Sequence, residues 1–150
     1  MNETTIRKAE LRFSRVSVAD PRGVYSTKIT GPEKAAAAAR VLYGDSEQEA
    51  FLVFFLDIKN KVTGYTEAAR GGQSNCGVDP RVIFRAALLA GAEAVILIHN
   101  HPSGDTTPST EDLALTRRLR DAGNLVGIPV LDHVIVTDTA EVSLREIGNW

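Results

Sequence analysis

A single cysteine, Cys76, excludes an intramolecular disulfide and matches no paired-cysteine zinc spacing. It is expected as a free thiol in a loop. The His-x-Glu and Pro-Cys-x-x-Cys elements of a zinc nucleobase deaminase are absent as well. No apolar run is long enough to span a bilayer, and the N-terminus lacks the apolar segment of a secretory signal, so a cytoplasmic protein with no membrane partner is expected. An excess of positive charge is also missing. The 17 Lys and Arg against 19 Asp and Glu give a formal net charge of -2, which removes the simplest electrostatic case for nucleic-acid binding. No internal repeat or low-complexity tail is present. What remains is ordinary for one globular domain: 150 residues, 43% hydrophobic and 24% charged, are enough to bury a core without staples.

Chemistry concentrates in one stretch. His99-Asn100-His101-Pro102-Ser103-Gly104 is followed by Pro108-Ser109-Thr110-Glu111-Asp112, so two imidazoles, a hydroxyl and a carboxylate fall within fourteen residues. The run before it, Ala94 to Ile98, is short, apolar and β-branched, as a buried strand would be. Side chains at i and i+2 of a strand point the same way, so His99 and His101 can converge on one ion. Pro108-Ser109 then precedes a helical pattern with apolar residues at Leu115, Leu119, Ala122 and Val126. Asp112 falls in the first turn of that helix, where free N–H groups and the helix dipole favour an ionised carboxylate. Two imidazoles and one carboxylate suit Zn²⁺ better than the all-oxygen preferences of Mg²⁺ or Ca²⁺, and three protein ligands leave a fourth position for water. Ser109 also fits a helix N-cap, and its structural and functional roles can coexist.

The spacing His99-x-His101, seven residues, Ser109, two residues, Asp112 resembles the motif of the JAMM/MPN metalloprotease fold. The words His99-Asn100-His101-Pro102-Ser103-Gly104-Asp105, Thr116-Arg117-Arg118-Leu119 and Leu131-Asp132-His133 narrow the resemblance to the RadC family of bacterial JAMM-like proteins, from about Ile29 to the C-terminus. The resemblance implies one zinc ion per chain held by His99, His101 and Asp112, with Ser109 stabilising the oxyanion of a tetrahedral intermediate. It also implies an upstream glutamate that accepts the proton of the zinc-bound water. Glu49, just ahead of the apolar run Ala50 to Leu56, is the first candidate, with Glu47 and Glu67 as competitors. The implied activity is metal-dependent hydrolysis of a peptide or isopeptide bond in a peptide or protein substrate. The family carries a traditional DNA-repair label that follows from nothing in these residues. Its longer members have an N-terminal helix-hairpin-helix region, for which the residues ahead of Ile29 are too few. The alternative is a nucleic-acid-associated binding module with a structural or vestigial metal site, supported by Arg117, Arg118 and Arg120 and a modestly basic N-terminus, and diluted by Glu111 and Asp121. His133 lies in a strand pattern and reads as a packed structural residue whose functional role would be to orient a ligand.

Along the chain, residues 1–28 read as an N-terminal extension and 29–150 as the JAMM/MPN domain. Leu11, Phe13, Val16 and Val18 partly alternate, which predicts an added strand or a surface packed on another subunit of a homo-oligomer. Gly31-Pro32 introduces a helix through Leu42, ended by Gly44-Asp45. Strands are predicted over Phe51–Asp57 and Val62–Thr66, and Gly71 to Asn75 reads as a flexible loop. Asp79-Pro80 caps a helix to about Ala90 with an apolar face of Val82, Ile83, Ala86 and Leu89. Strands follow at Val130–Thr137 and Val142–Leu144. The fold class is therefore α/β: a mixed sheet flanked by helices with the site at a strand's end, of the JAMM/MPN, cytidine-deaminase-like kind by resemblance.

Overall fold

The two most apolar runs of the chain, Ala50–Leu56 (β1) and Ala94–Asn100 (β3), are buried at every position and form the middle of the sheet. The structure, a computed structural model, describes residues 5, 12–20, 23–44, 46–71 and 78–150. Its five strands lie in the order β2-β1-β3-β4-β5, with β2 at Val62–Arg70, β4 at Val130–Val136 and β5 at Glu141–Ser143. Only β3 and β4 pair in parallel; β1 with β2, β1 with β3, and β4 with β5 are antiparallel. A parallel pair needs a crossover connection, and the helix Thr110–Val126 (α3) supplies it.

Period-two alternation sorts the strand residues between two cores. Leu52, Phe54, Leu56, Ile96 and Ile98 face the helix Pro32–Tyr43 (α1), whose Ala35, Ala36, Ala38 and Ala39 are small enough to bring it close to the sheet. Phe51, Val53, Phe55, Val95 and Leu97 face the opposite layer, built from Pro80–Leu89 (α2) and α3 through Ile83, Phe84, Ala87 and Leu119. The result is a mixed sheet between helical layers, an α/β fold with the architecture of a JAB/MPN domain. A register irregularity between Val95 and Ile96 opposes Val130 to Val95 but Asp132 to Ile96. It sets the parity that pairs His133 with Leu97 and turns His133 toward the α3 layer.

The structure corrects several expectations. Residues 12–20 form no strand, and Phe13 and Val16 are 61% and 59% exposed. Among the described residues, the one β-bridge made by this end of the chain is Lys28–Lys61, so residues 12–20 have no ladder, while Val24, Tyr25 and Ile29 pack on the sheet beside α1. The core face of α2 is Ile83, Phe84 and Ala87, whereas Val82 and Leu89 are exposed at 37% and 54%. Val126 of α3 is also exposed, while Leu115 and Ala122 pack against the core as expected. Strand β2 runs on to Arg70, because an edge strand with one solvated face accommodates Glu67 and Arg70 without interrupting the ladder. The expectations for Leu11, Asp45, the loop residues Gly72 to Asn75 and Cys76 lie outside the described residues.

Candidate metal centre

The parity that places Val95 and Leu97 in the α3 layer also places His99 there, at the strand's C-terminal end. The residue is 2% exposed, and its ring stacks on Phe51, its antiparallel partner, with centroids 5.8 Å apart. His101 extends the β3–β4 ladder by one bond, its N–H donating to the Val136 carbonyl at 2.8 Å. The chain then turns away, with Gly104 in the left-handed region at φ 85° and its N–H returning to the His101 carbonyl. This turn puts the Asp105 carbonyl 2.6 Å from His101 Nδ1. A carbonyl can only accept, so Nδ1 carries a hydrogen and the neutral ring keeps a bare lone pair on Nε2. The Nε2 atoms of His99 and His101, on one face of the strand, lie 2.7 Å apart, a separation at which the two nitrogens share a proton or a cation.

Two carboxylates close on this pair. Asp112 is held by a capping box at the start of α3: Ser109 Oγ accepts from the Asp112 N–H at 3.0 Å, and Asp112 Oδ2 accepts from the Ser109 N–H at 2.8 Å. Its Oδ1 is 3.4 Å from His99 Nε2 and its Oδ2 is 3.6 Å from His101 Nε2. Glu49, the residue before β1, brings Oε1 to 3.8 and 4.0 Å from the same two nitrogens. Ligand atoms of Glu49, His99 and His101 all fall within 4.8 Å of one another. Glu47 is exposed, and Glu67 is engaged by Arg70 at 2.5 and 2.9 Å. Of the three glutamates considered, Glu49 is therefore the one that reaches the histidines.

Electrostatics agree with a cation-ready cluster. Burial pushes the Asp112 carboxyl up, but hydrogen bonds with His101 and His99 outweigh it and hold the group well below the usual carboxylate range. The same Asp112 contact raises the pKa of His101 against the opposing effect of burial. Complete burial holds His133 well below the ordinary histidine value, so it is neutral. Imidazole nitrogens beside the ionised Asp112 carboxylate and the Glu49 side chain form a donor set that fits a divalent transition-metal cation. A cavity of about 550 Å³ opens beside His101, lined by Arg40, Tyr43, Glu47, Asn100, Thr137 and Asp138 among others. Ser109 serves as the α3 cap through its oxygen lone pair, which leaves its hydroxyl proton free to donate.

Two residues that hold the cluster were not singled out by sequence. Asn100 alternates to the α1 side, where its Oδ1 accepts from the Ala50 N–H at 2.7 Å and its Nδ2 donates to the Gln48 carbonyl at 3.0 Å. It thus grips the peptide groups on both sides of Glu49, while the Gly71 N–H donates to the Glu49 carbonyl at 2.7 Å. Thr116, one turn along α3 from Asp112, touches His133 at 2.6 Å, and His133 in turn touches His99 at 2.8 Å. Asn100 stood inside the His-x-His word, but its partners are fifty residues away, and no local pattern announces them.

Residues 29–149 match the family model described as the RadC-like JAB domain. The chain is 39% identical over 145 residues to a UPF0758 protein of Geobacter sulfurreducens, covering 97% of this chain and 63% of that one. It is 42% identical over 142 residues to a UPF0758 protein of Desulfitobacterium hafniense, covering 94% and 62%. Over 103 residues it is 48% identical to one from Caldanaerobacter subterraneus subsp. tengcongensis, covering 69% and 44%. The chain thus spans less than two thirds of the length of these relatives.

Proposed function

This chain belongs to the RadC-like JAB domain family, and on that premise we propose that it is a zinc-dependent metallohydrolase acting on peptide or isopeptide bonds. The observation that carries the reading is the convergence of four donors: Nε2 of His99 and His101, the Asp112 carboxylate at 3.4 and 3.6 Å, and Glu49 at 3.8 and 4.0 Å. His99, His101 and Asp112 would hold zinc, which when bound supplies the Lewis acidity that makes water acidic enough to ionise near neutral pH. The backbone of Glu49 is held by Asn100 and Gly71, which keeps Oε1 beside the two histidines, where it would accept a proton. Ser109 would donate its hydroxyl proton to the oxygen that gains charge as the carbonyl is attacked.

The deciding experiment measures zinc by elemental mass spectrometry in protein purified without an affinity metal, for the wild type and for His101→Ala at matched folding. Near-stoichiometric zinc in the wild type and its loss in the variant are expected. Fluorogenic peptides and isopeptide-linked conjugates are then screened with the zinc-loaded protein and with Glu49→Gln. The variant should keep its zinc and lose roughly 10²- to 10⁴-fold in rate, the usual worth of a positioned general base. Absence of specific zinc even after dialysis against it, or full activity in Glu49→Gln, would overturn the corresponding assignment.

A further inference from the structure

Three buried polar groups behind the metal cluster form a chain whose hydrogen positions are forced. Thr116 Oγ1 lies 2.6 Å from the Asp112 carbonyl and 2.6 Å from His133 Nδ1, and Thr116 is 1% exposed. His133 Nε2 lies 2.8 Å from His99 Nδ1, and His133 is fully buried. A hydroxyl has one proton, and a backbone carbonyl can only accept, so the Thr116 proton goes to Asp112. Thr116 must then accept from His133, which places the imidazole hydrogen on Nδ1 and leaves Nε2 bare. His133 Nε2 must therefore accept from His99 Nδ1, and the neutral His99 is left with its lone pair on Nε2, the atom that faces His101, Asp112 and Glu49.

We propose that Thr116 and His133 are positioning residues for the metal centre, which fix His99 in the one tautomer able to ligate through Nε2 and tie it to the helix turn that carries Asp112. The inference rests on the metallohydrolase reading for its purpose but not for its hydrogen positions. The reverse order, with hydrogen on His133 Nε2, would present an N–H from His99 to the metal. It would also need a second proton on the Thr116 hydroxyl, so one hydroxyl on α3 decides which His99 nitrogen is available. The same contacts link two of the three proposed ligands, His99 on β3 and Asp112 on α3, through β4. A His–His hydrogen bond in place of a carboxylate partner keeps the buried link uncharged, so it adds no net charge behind the ion.

The test uses long-range ¹H–¹⁵N spectra of the full chain, metal-free, together with zinc affinity by competition with a chromophoric chelator. In the wild type the His133 ring is expected to carry its hydrogen on Nδ1 with Nε2 bare, and His99 to be protonated on Nδ1. Thr116→Val, of the same shape but with no acceptor, should shift His133 away from the pure Nδ1–H form and weaken zinc binding about 10- to 100-fold, the usual cost of losing such a partner. Thr116→Ser should restore both. Hydrogen on Nε2 of wild-type His133 overturns the proposal even if no variant folds. So does zinc affinity in folded Thr116→Val within twofold of the wild type. A wild type that binds no zinc overturns the metallohydrolase reading, while its metal-free spectra still decide the hydrogen order.

Discussion

Asn100 illustrates how much of the site depends on one side chain between the two histidines. Its amide satisfies the Ala50 N–H and the Gln48 carbonyl, and it is 8% exposed. Removing it leaves two backbone groups without these partners, each costing about 1–3 kcal/mol where water cannot replace the lost bond. Asn100→Ala is therefore expected to lower the urea midpoint and to reduce hydrolysis far more than zinc content, because the two imidazoles remain while Glu49 loses its clamp. Equal losses of zinc and of rate would show that Asn100 serves the fold at large. Asn100→Asp keeps the acceptor toward Ala50 but sets a carboxylate oxygen against the Gln48 carbonyl, so it should not rescue the rate. Sequence made the candidate site residues legible because their geometry is local: His99 and His101 are two apart on a strand, and Ser109 and Asp112 are three apart at a helix start. The clamp and the Thr116–His133 link were not legible, since each joins residues brought together only by the sheet.

At the scale of elements, α3 is fixed at both ends by features with separate costs. At its start, Ser109 and Asp112 satisfy each other's N–H groups. Ser109→Ala should destabilise the protein by about 0.5–2 kcal/mol through loss of the cap. It also frees the Asp112 turn, so a fall in zinc affinity beside the fall in the thermal midpoint is expected. Near its other end, Gly123 packs so tightly that an added Cβ would lie 2.5 Å from the Ile128 carbonyl oxygen and 3.3 Å from the Phe84 ring. Gly123→Ala must push α3 away from α2 and from the β4 entry, costing roughly 1–3 kcal/mol by overpacking. Chemical denaturation reads that cost directly, and a neutral result would mean that the α3–β4 connection yields without strain. No sequence pattern singled out Gly123, whose reason is this contact. The same limit explains the misplaced face of α2. Its sequence offers apolar residues at Val82, Ile83, Phe84, Leu88 and Leu89 on more than one side, and only packing against β1 and α3 selects Ile83, Phe84 and Ala87. The central strands were plain from their apolar runs, while residues 12–20, for all their partial alternation, form no strand because no neighbouring strand pairs with them.

For the molecule as a whole, the metal cluster should make stability depend on pH in opposite ways with and without zinc. In the metal-free protein the Asp112 carboxyl is lowered and the His101 ring is raised, each largely by contact with the other and against burial. The lowered carboxyl contributes stability present above its unfolded value of about 3.9 and lost as pH falls through its folded value. The raised imidazole contributes stability that is complete below its unfolded value of about 6.5 and is lost as pH rises through its folded value. The metal-free protein should therefore be stabilised by this pair in the acid-to-neutral window and lose that contribution toward alkaline pH. Zinc needs the bare nitrogens, so protons compete with it, and its affinity should strengthen as His101 gives up its proton. A ligand that binds only the folded state raises the midpoint in proportion to the logarithm of concentration over Kd. The rise in thermal midpoint on adding a fixed excess of zinc should thus be small near pH 6 and larger near pH 8, with His101 the group that separates them by titrating above about 6.5. Replacing His101 by Ala should remove both the increment and its pH dependence. An increment that is constant across that range in the wild type would mean that zinc binds elsewhere than at His101.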